Sequence, residues 1–298
     1  MHAARGFPQR VRLRLAAARL EPKVTWIMGS PRSGTTWLAA LLSSLTDAAL
    51  VDEPLIGTHL SIHVGAVTSL PSPDDPLLYD ASRGRDDYVF ADQAADAWRP
   101  ALRSLLLQRF AASAGLRRAV LIKEPNGSLA APLLLATLPR SRLLFLVRDG
   151  RDVVDSLLDG VTDGWITRTQ GAALEDAGRQ DFIQRRAHEW VRTVSAVRDA
   201  YDAHDPALRI RVTYEDLRAE PEREVARLLT WLGRTDALPR VAEAVSLLSF
   251  ERLPAEKTGR GQFTRAAQPG LWREHFSPDE QGRLEETMQP LLGELGYS

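Results

Sequence analysis

The residues from Gly29 to Thr36 have the types and the spacing of a loop that binds phosphate. They read GSPRSGTT and follow the pattern G-x-x-x-x-G-K-[ST], except that Thr35 stands where the pattern has lysine. Such a loop wraps its backbone N–H groups around an anion at the start of a helix. Triphosphate chemistry depends on that lysine, whereas backbone donors, hydroxyls and the guanidinium of Arg32 suffice for one phosphate and one sulfate. The loop therefore predicts an anionic ligand and disfavours a nucleoside triphosphate.

Other charged residues stand at the ends of predicted strands. Arg148 follows the apolar run RLLFLV, at the carboxyl end where an open α/β sheet binds ligands. Ser156 follows about two helical turns later and can face the same side. Glu53 and Lys123 end two further predicted strands, and Lys123 is one of only three lysines among 38 basic residues. In so arginine-rich a chain, a lysine suggests a position that needs a compact ammonium.

The elements that must position these residues alternate between apolar strands and amphipathic helices. Predicted strands are Val24–Met28, Ala49–Glu53, Ala119–Lys123, Arg142–Arg148 and Arg209–Tyr214. Predicted helices are Thr35–Leu45, Ala94–Ala112, Leu129–Leu138, Arg151–Leu158, Phe182–Ala203, Glu222–Leu232, Pro239–Leu248 and Pro278–Leu292. This alternation is typical of βαβ units, and it predicts a three-layer α/β fold with a central parallel sheet and a phosphate-binding loop, as in P-loop NTPases.

Length and composition limit the remaining possibilities. The 298 residues show no repeat and no linker that forces a division, so we expect one domain over residues 1–298, with an N-terminal arm at 1–22 and a substrate or lid segment at 54–93. The formal net charge of −1 argues against nucleic acid as the main partner. Without cysteine, disulfides and thiolate metal sites are excluded. No signal peptide or membrane span is evident, so we expect a cytoplasmic protein without a membrane partner.

The phosphate loop resembles a specific family. GSPRSGTTW is similar to the 5′-phosphosulfate loop of the sulfotransferases, which use 3′-phosphoadenosine 5′-phosphosulfate (PAPS) and release adenosine 3′,5′-bisphosphate (PAP). The resemblance implies that the 5′-phosphosulfate is held by one consecutive set of residues. These are Arg32, Ser33, Gly34, Thr35, Thr36 and Trp37.

The resemblance extends to the other end of the nucleotide. LLFLVRDGRDVVDS looks like the family's 3′-phosphate motif, with Arg148 and Ser156 in the two binding roles. Tyr214, in RVTYEDL, resembles the residue beside the adenine, although a core tyrosine is an equally good reading. GLWREHF, residues 270–276, looks like the family's C-terminal motif, which follows a basic loop over the 3′-phosphate. Candidates in that loop are Lys257, Arg260 and Arg265.

The catalytic residues also follow from the resemblance. Glu53 in VDEP lies 21 residues after Arg32, as in the branch that includes the tyrosylprotein sulfotransferases, where a glutamate at this spacing is the general base. Lys123 in IKEP resembles the lysine that neutralises the bridging oxygen, and Arg32 completes the predicted catalytic set. His59 and His63 are reserve bases. Together with Trp165 they are also predicted to line the acceptor site.

The resemblance implies transfer of a sulfuryl group from PAPS to a hydroxyl of a small molecule or carbohydrate, without a required metal. Two alternatives remain open at this point. One is a P-loop kinase for a small molecule, disfavoured by Thr35. The other is a nucleotide-binding protein that has lost catalysis, disfavoured by the joint presence of Arg32, Lys123 and Glu53.

Overall fold

The computed structural model describes residues 19–57, 94–114, 118–162, 176–254, 256, 258–259, 262 and 266–297. Its strands are β1 (Val24–Met28), β2 (Ala49–Asp52), β3 (Val120–Lys123), β4 (Arg142–Val147) and β5 (Arg209–Thr213). Its α-helices are α1 (Thr35–Thr46), α2 (Ala95–Ala114), α3 (Ala131–Thr137), α4 (Gly150–Thr162), α5 (Asp176–Ala203), α6 (Tyr214–Ala219), α7 (Pro221–Trp231), α8 (Val241–Leu247), α9 (Trp272–His275) and α10 (Pro278–Leu295). Short 3-10 helices are Glu21–Lys23, Ser128–Ala130, Pro206–Leu208, Thr235–Arg240 and Phe250–Arg252.

The five strands form one parallel sheet in the order β2-β3-β1-β4-β5. β1 pairs in parallel with β3 and β4, and β2 pairs in parallel with β3. The burial of each strand follows from its place in the sheet. β1 and β3 are buried at every residue, whereas the edge strands β2 and β5 are partly exposed. Consecutive parallel strands need crossover connections. α1, α2 and α3 lie in the three connections from β1 to β4, and α4 and α5 lie in the connection from β4 to β5. The predicted α/β class with a central parallel sheet is confirmed.

Most predicted elements agree with the structure to within a few residues, and one position is corrected. We predicted that Tyr214 ends the fifth strand, but it begins α6, because the side chain of Thr213 accepts a hydrogen bond from the Asp216 amide and caps a helix there. Nearly all of the predicted N-terminal arm and most of the predicted lid segment 54–93 lie outside the described residues.

The chain falls into two compact units. Unit 1 contains residues 1–28, 42–145 and 196–211, and unit 2 contains residues 29–41, 146–195 and 212–298. The division leaves the phosphate loop in unit 2 and the strand ends at Glu53 and Lys123 in unit 1. Within the described residues, no helix is both long enough and apolar enough to cross a membrane.

Candidate active site

The phosphate loop of unit 2 has the backbone that its sequence requires. Arg32 and Gly34 both have positive φ, 68° and 90°, so the chain turns sharply before α1 begins at Thr35. A Cβ on Gly34 would lie 2.6 Å from the ring of Tyr214, so only glycine fits there. Ser33 is fully buried, and its hydroxyl donates to the carbonyl of Ser30 at 2.5 Å. Arginine in the left-handed region is strained, a feature that concentrates at functional sites.

The two predicted anion-binding regions converge within unit 2. The Nε of Arg32 donates to the hydroxyl of Ser156 at 3.0 Å, and Nη1 of Arg148 donates to the carbonyl of Arg32 at 3.0 Å. The Arg148 guanidinium lies over the Tyr214 ring, 4.5 Å from its centroid. The structure thus brings together Arg32, Arg148, Ser156 and Tyr214, which are widely separated in sequence.

The charge in this cluster fits an anionic ligand. Arg148 is 8% exposed, and its Nε has no hydrogen-bond partner within the described residues. Its Nη2 pairs with the carboxylate of Asp152 at 4.0 Å. A buried guanidinium with unused donor capacity is stabilised by an anion that accepts from it. Two arginines and the Ser156 hydroxyl are therefore a suitable donor set for phosphate or sulfate oxygens.

Burial also acts on the groups around Arg148. It raises the pKa of the Asp152 carboxyl, and the positive charge of Arg148 opposes that rise. Burial likewise raises the pKa of the Tyr214 hydroxyl, so Tyr214 is uncharged at neutral pH. Tyr214 is 5% exposed and packs on Gly34, which places it in the anion-binding cluster. Its contact with adenine stays a prediction.

The remaining residues of the RDGRD motif organise the start of α4. Asp149 accepts from the Arg151 amide at 2.9 Å and pairs with its guanidinium at 2.8 Å. A Cβ on Gly150 would lie 2.6 Å from the indole of Trp190. Asp152 accepts from the amides of Gly270 at 2.7 Å and Trp272 at 3.3 Å. The motif therefore stabilises the start of α4 and binds the backbone at Gly270 and Trp272, all within unit 2.

Asp152 and its neighbours on α4 hold the GLWREHF segment in place. The guanidinium of Arg151 lies over the Trp272 ring at 4.2 Å, and His275 Nδ1 is 3.0 Å from the carboxylate of Asp155. The basic loop predicted before this segment contains Lys257, Arg260 and Arg265, which are outside the described residues.

A second cluster lies at the strand ends of unit 1. Lys123 is 3% exposed, and its Nζ lies 2.7 Å from Oδ1 of Asp52 and 2.8 Å from Oε1 of Glu53. The amide of Asn126 donates to Oε2 of Glu53 at 2.7 Å. Burial lowers the pKa of Lys123, but the hydrogen bonds to Asp52 and Glu53 outweigh it and raise the pKa above its ordinary value. Lys123 therefore carries its charge throughout the neutral range.

The Glu53 carboxylate is oriented by Lys123 and Asn126 and can still accept a further hydrogen bond. Each carboxylate oxygen has two lone-pair sites, so the contacts with Lys123 and Asn126 leave capacity for a further proton or hydroxyl. The Glu53 side chain is 37% exposed, which makes it accessible from solvent. Its backbone has φ of 46°, an unusual conformation for a residue with a side chain.

Three residues of the unit 1 cluster were missed by sequence reasoning as site residues. Asp52 lies within VDEP, Glu124 lies within IKEP, and Asn126 directly follows IKEP. Asp52 belongs to the cluster because the strand register sets it opposite Lys123, which the sequence pattern does not reveal. Of the other predicted residues, Thr36 is exposed and Trp37 is partly buried on α1. His59, His63 and Trp165 lie outside the described residues.

Comparison with known proteins identifies the family of the chain. The sulfotransferase family matches residues 25–237, and the chain belongs to that family. A putative protein-tyrosine sulfotransferase of Caenorhabditis briggsae is 22% identical over 281 residues, which cover 92% of this chain and 89% of the relative.

Solved structures show the same fold. The sulfotransferase domain of the curacin biosynthetic pathway has a TM-score of 0.52 at 16% identity and covers 92% of this chain and 97% of its own. Retinol dehydratase, crystallised with androsterone and the inactive cofactor PAP, has a TM-score of 0.52 at 17% identity, with 94% and 85% covered. A sulfotransferase of Mycobacterium avium has a TM-score of 0.53 at 14% identity, with 93% and 77% covered.

Proposed function

We propose that this PAPS-dependent sulfotransferase transfers the sulfuryl group to a hydroxyl of a small-molecule or carbohydrate acceptor, with Glu53 as general base. The observation that supports the nucleotide assignment best is the convergence of Arg32, Arg148 and Ser156, since a nucleotide with anions at its 3′ and 5′ positions needs two anion-binding groups close together. Retinol dehydratase, which shares the fold, binds such a bisphosphate.

PAPS would supply the activated sulfuryl group, and the chain supplies binding, orientation and proton transfer. Backbone amides of the phosphate loop and the Arg32 guanidinium would hold the 5′ end, and Arg148 and Ser156 the 3′-phosphate. Tyr214 and the basic residues Lys257, Arg260 and Arg265 are proposed to complete the nucleotide site. His59, His63 and Trp165 are proposed for the acceptor side.

Proton transfer is assigned to the unit 1 cluster. The acceptor hydroxyl must lose its proton as its oxygen bonds to sulfur, and the Glu53 carboxylate is proposed to take that proton. Lys123, kept charged by Asp52 and Glu53, is proposed to neutralise the negative charge that develops as the bond to the leaving phosphate breaks.

Thermal melting separates this function from the kinase alternative. PAP should raise the melting temperature, because a ligand at 100 times its Kd adds about 2.7 kcal/mol to the free energy of unfolding. ATP with magnesium should give no comparable shift. A shift with ATP and magnesium alone would favour the kinase and remove PAPS from the proposal.

The role of Glu53 is tested by Glu53→Gln with Asp52→Asn as its matched control. Both variants remove one carboxylate partner of Lys123, but only the first removes the proposed base. Turnover is measured with labelled PAPS and the best acceptor from a screen of phenols, alcohols, sugars and amino sugars. We expect Glu53→Gln to lose about 100-fold or more in turnover and to keep the PAP-induced shift. Equal, small losses in the two variants would remove Glu53 from the role of base.

A further inference from the structure

The turn that carries Glu53 has a backbone that needs external support. Two residues with side chains, Glu53 and Leu55, have φ of 46° and 56°, in the left-handed region. Such residues keep this conformation only when their surroundings hold them. The Glu53 amide donates to the Lys123 carbonyl at 2.9 Å, which fixes the first residue of the turn. The residues after Glu53 need a separate anchor.

That anchor is a buried carboxylate. Glu124 is 1% exposed and follows Lys123 on the next strand end. Its Oε1 accepts from the Gly57 amide at 3.1 Å, and the backbone amides of Leu55 and Ile56 also lower the pKa of the carboxyl group. Its Oε2 is buried without a hydrogen-bond partner in the described part of unit 1. Burial raises the pKa of Glu124 to about 7, against the opposing effect of these amides.

Two glycines let the chain close tightly around this carboxylate. A Cβ on Gly57 would lie 1.8 Å from the carbonyl oxygen of Gly127, and a Cβ on Gly127 would lie 2.1 Å from Oε1 of Glu124. Real Cβ contacts are never that short. The segment after β2 and the segment after β3 therefore touch through backbone at Gly57 and Gly127, with the carboxylate between them.

We infer that Glu124 is a positioning residue, whose buried carboxylate holds the backbone at Gly57 and so fixes the strained turn that presents Glu53. The inference rests on the proposed role of Glu53 as the base. Glu124 acts on the reaction only through this turn, and a misplaced base loses much of its effect because proton transfer requires hydrogen-bond distance.

The charges around Glu124 set the expected pH dependence. Glu53 acts on it from the turn after β2 and raises its pKa. Lys123, beside it on β3, is paired with Asp52 and Glu53. The 3-10 helix Ser128–Ala130 contributes a neutral group, the hydroxyl of Ser128, which donates to the backbone carbonyl of Glu124. Ionised Glu124 binds amides more strongly than the neutral acid, so turnover should rise as the pH rises through about 7.

Four variants of the full chain test the inference. Glu124→Ala removes the acceptor, Glu124→Gln keeps its shape and one acceptor without the charge, and Gly57→Ala forces the two segments apart with Glu124 intact. Glu21→Gln is the control, since Glu21 is another carboxylate of unit 1 that is 1% exposed and accepts a backbone amide, that of Arg140. The first readout is hydrogen exchange of the peptide that contains residues 55–57, which needs no sulfuryl acceptor. The second is turnover, measured between pH 6 and 8.

Glu124→Ala and Gly57→Ala should both speed exchange at residues 55–57 and lower kcat by about 10- to 100-fold, with the Kd for PAP unchanged. Glu124→Gln should lose less and should lack the rise in kcat near pH 7. Glu21→Gln should alter neither readout. If Glu53→Gln is inactive while Glu124→Ala and Gly57→Ala keep kcat, the positioning inference alone is overturned. If Glu53→Gln stays active, the base assignment fails first.

Discussion

We expect Gly34→Ala to lower the affinity for the nucleotide as well as the free energy of unfolding. Gly34 has φ of 90°, and a Cβ there would lie 2.6 Å from the Tyr214 ring. An ordinary carbon contact begins at 3.4 Å, so the ring or the loop must shift by 0.8 Å, the difference between the two distances. The Tyr214 ring also contacts the Arg148 guanidinium, so a shift of the ring displaces a group that we propose binds the 3′-phosphate.

The expected loss of unfolding free energy in Gly34→Ala has two parts. The left-handed backbone alone costs about 1–2 kcal/mol for a residue with a Cβ, and overpacking against the ring adds about 1–3 kcal/mol. We expect the overpacking to weaken PAP binding about tenfold. At a PAP concentration of 100 times the wild-type Kd, stabilisation would then fall from about 2.7 to about 1.4 kcal/mol.

The chain offers a matched control for the backbone part. Gly233 has φ of 70°, and a Cβ there would meet nothing within 4 Å, so Gly233→Ala introduces the same strain without a clash. Thermal melting of both variants with and without PAP measures the two effects. Gly233→Ala should lower the melting temperature and keep the full PAP shift. If Gly34→Ala also keeps the full shift, the contact between the loop, Tyr214 and Arg148 does not govern nucleotide binding.

Two further predictions concern charged groups. Lys123→Met should lower turnover by about 100-fold or more with little loss of stability, because Asp52 and Glu53 are 59% and 37% exposed and can be rehydrated; turnover within threefold of wild type would contradict this. Asp152→Asn should lower the free energy of unfolding by about 1–3 kcal/mol, measured by urea denaturation. The Gly270 and Trp272 amides donate to different oxygens of Asp152, and an Asn side chain has an NH2 group in place of one of them. An unchanged transition midpoint would show that these two hydrogen bonds do not contribute to stability.

The central strands could be predicted because strands that are buried on both faces have mostly apolar sequences. β1 and β3 are buried at every residue and are almost wholly apolar in sequence. The helix that begins at Tyr214 was missed because no turn residue separates it from the strand-like sequence of β5. Thr213 followed by Asp216 is a helix-start signal of the T-x-x-D kind that would have found it.

The convergence of the candidate site residues could be predicted where it depends on spacing along the chain, but not where it depends on pairing between segments. Arg32, Arg148 and Ser156 stand in recognisable motifs on either side of strand ends. Asp52 meets Lys123 only because β2 and β3 pair in a register that sets them opposite each other. Sequence pattern alone does not fix that register between parallel strands, which are joined by a long crossover.

The central claim is that Arg148 and Ser156 hold the 3′-phosphate while the loop at Arg32 holds the 5′ end of the same nucleotide. Titration calorimetry with PAP and with AMP, which lacks the 3′-phosphate, tests it in the wild type and in Arg148→Met. We expect the wild type to bind PAP at least 100-fold more tightly than AMP, about 2.7 kcal/mol, and Arg148→Met to lose most of that preference while its AMP affinity stays similar. A preference for PAP that is the same in both proteins would contradict the claim.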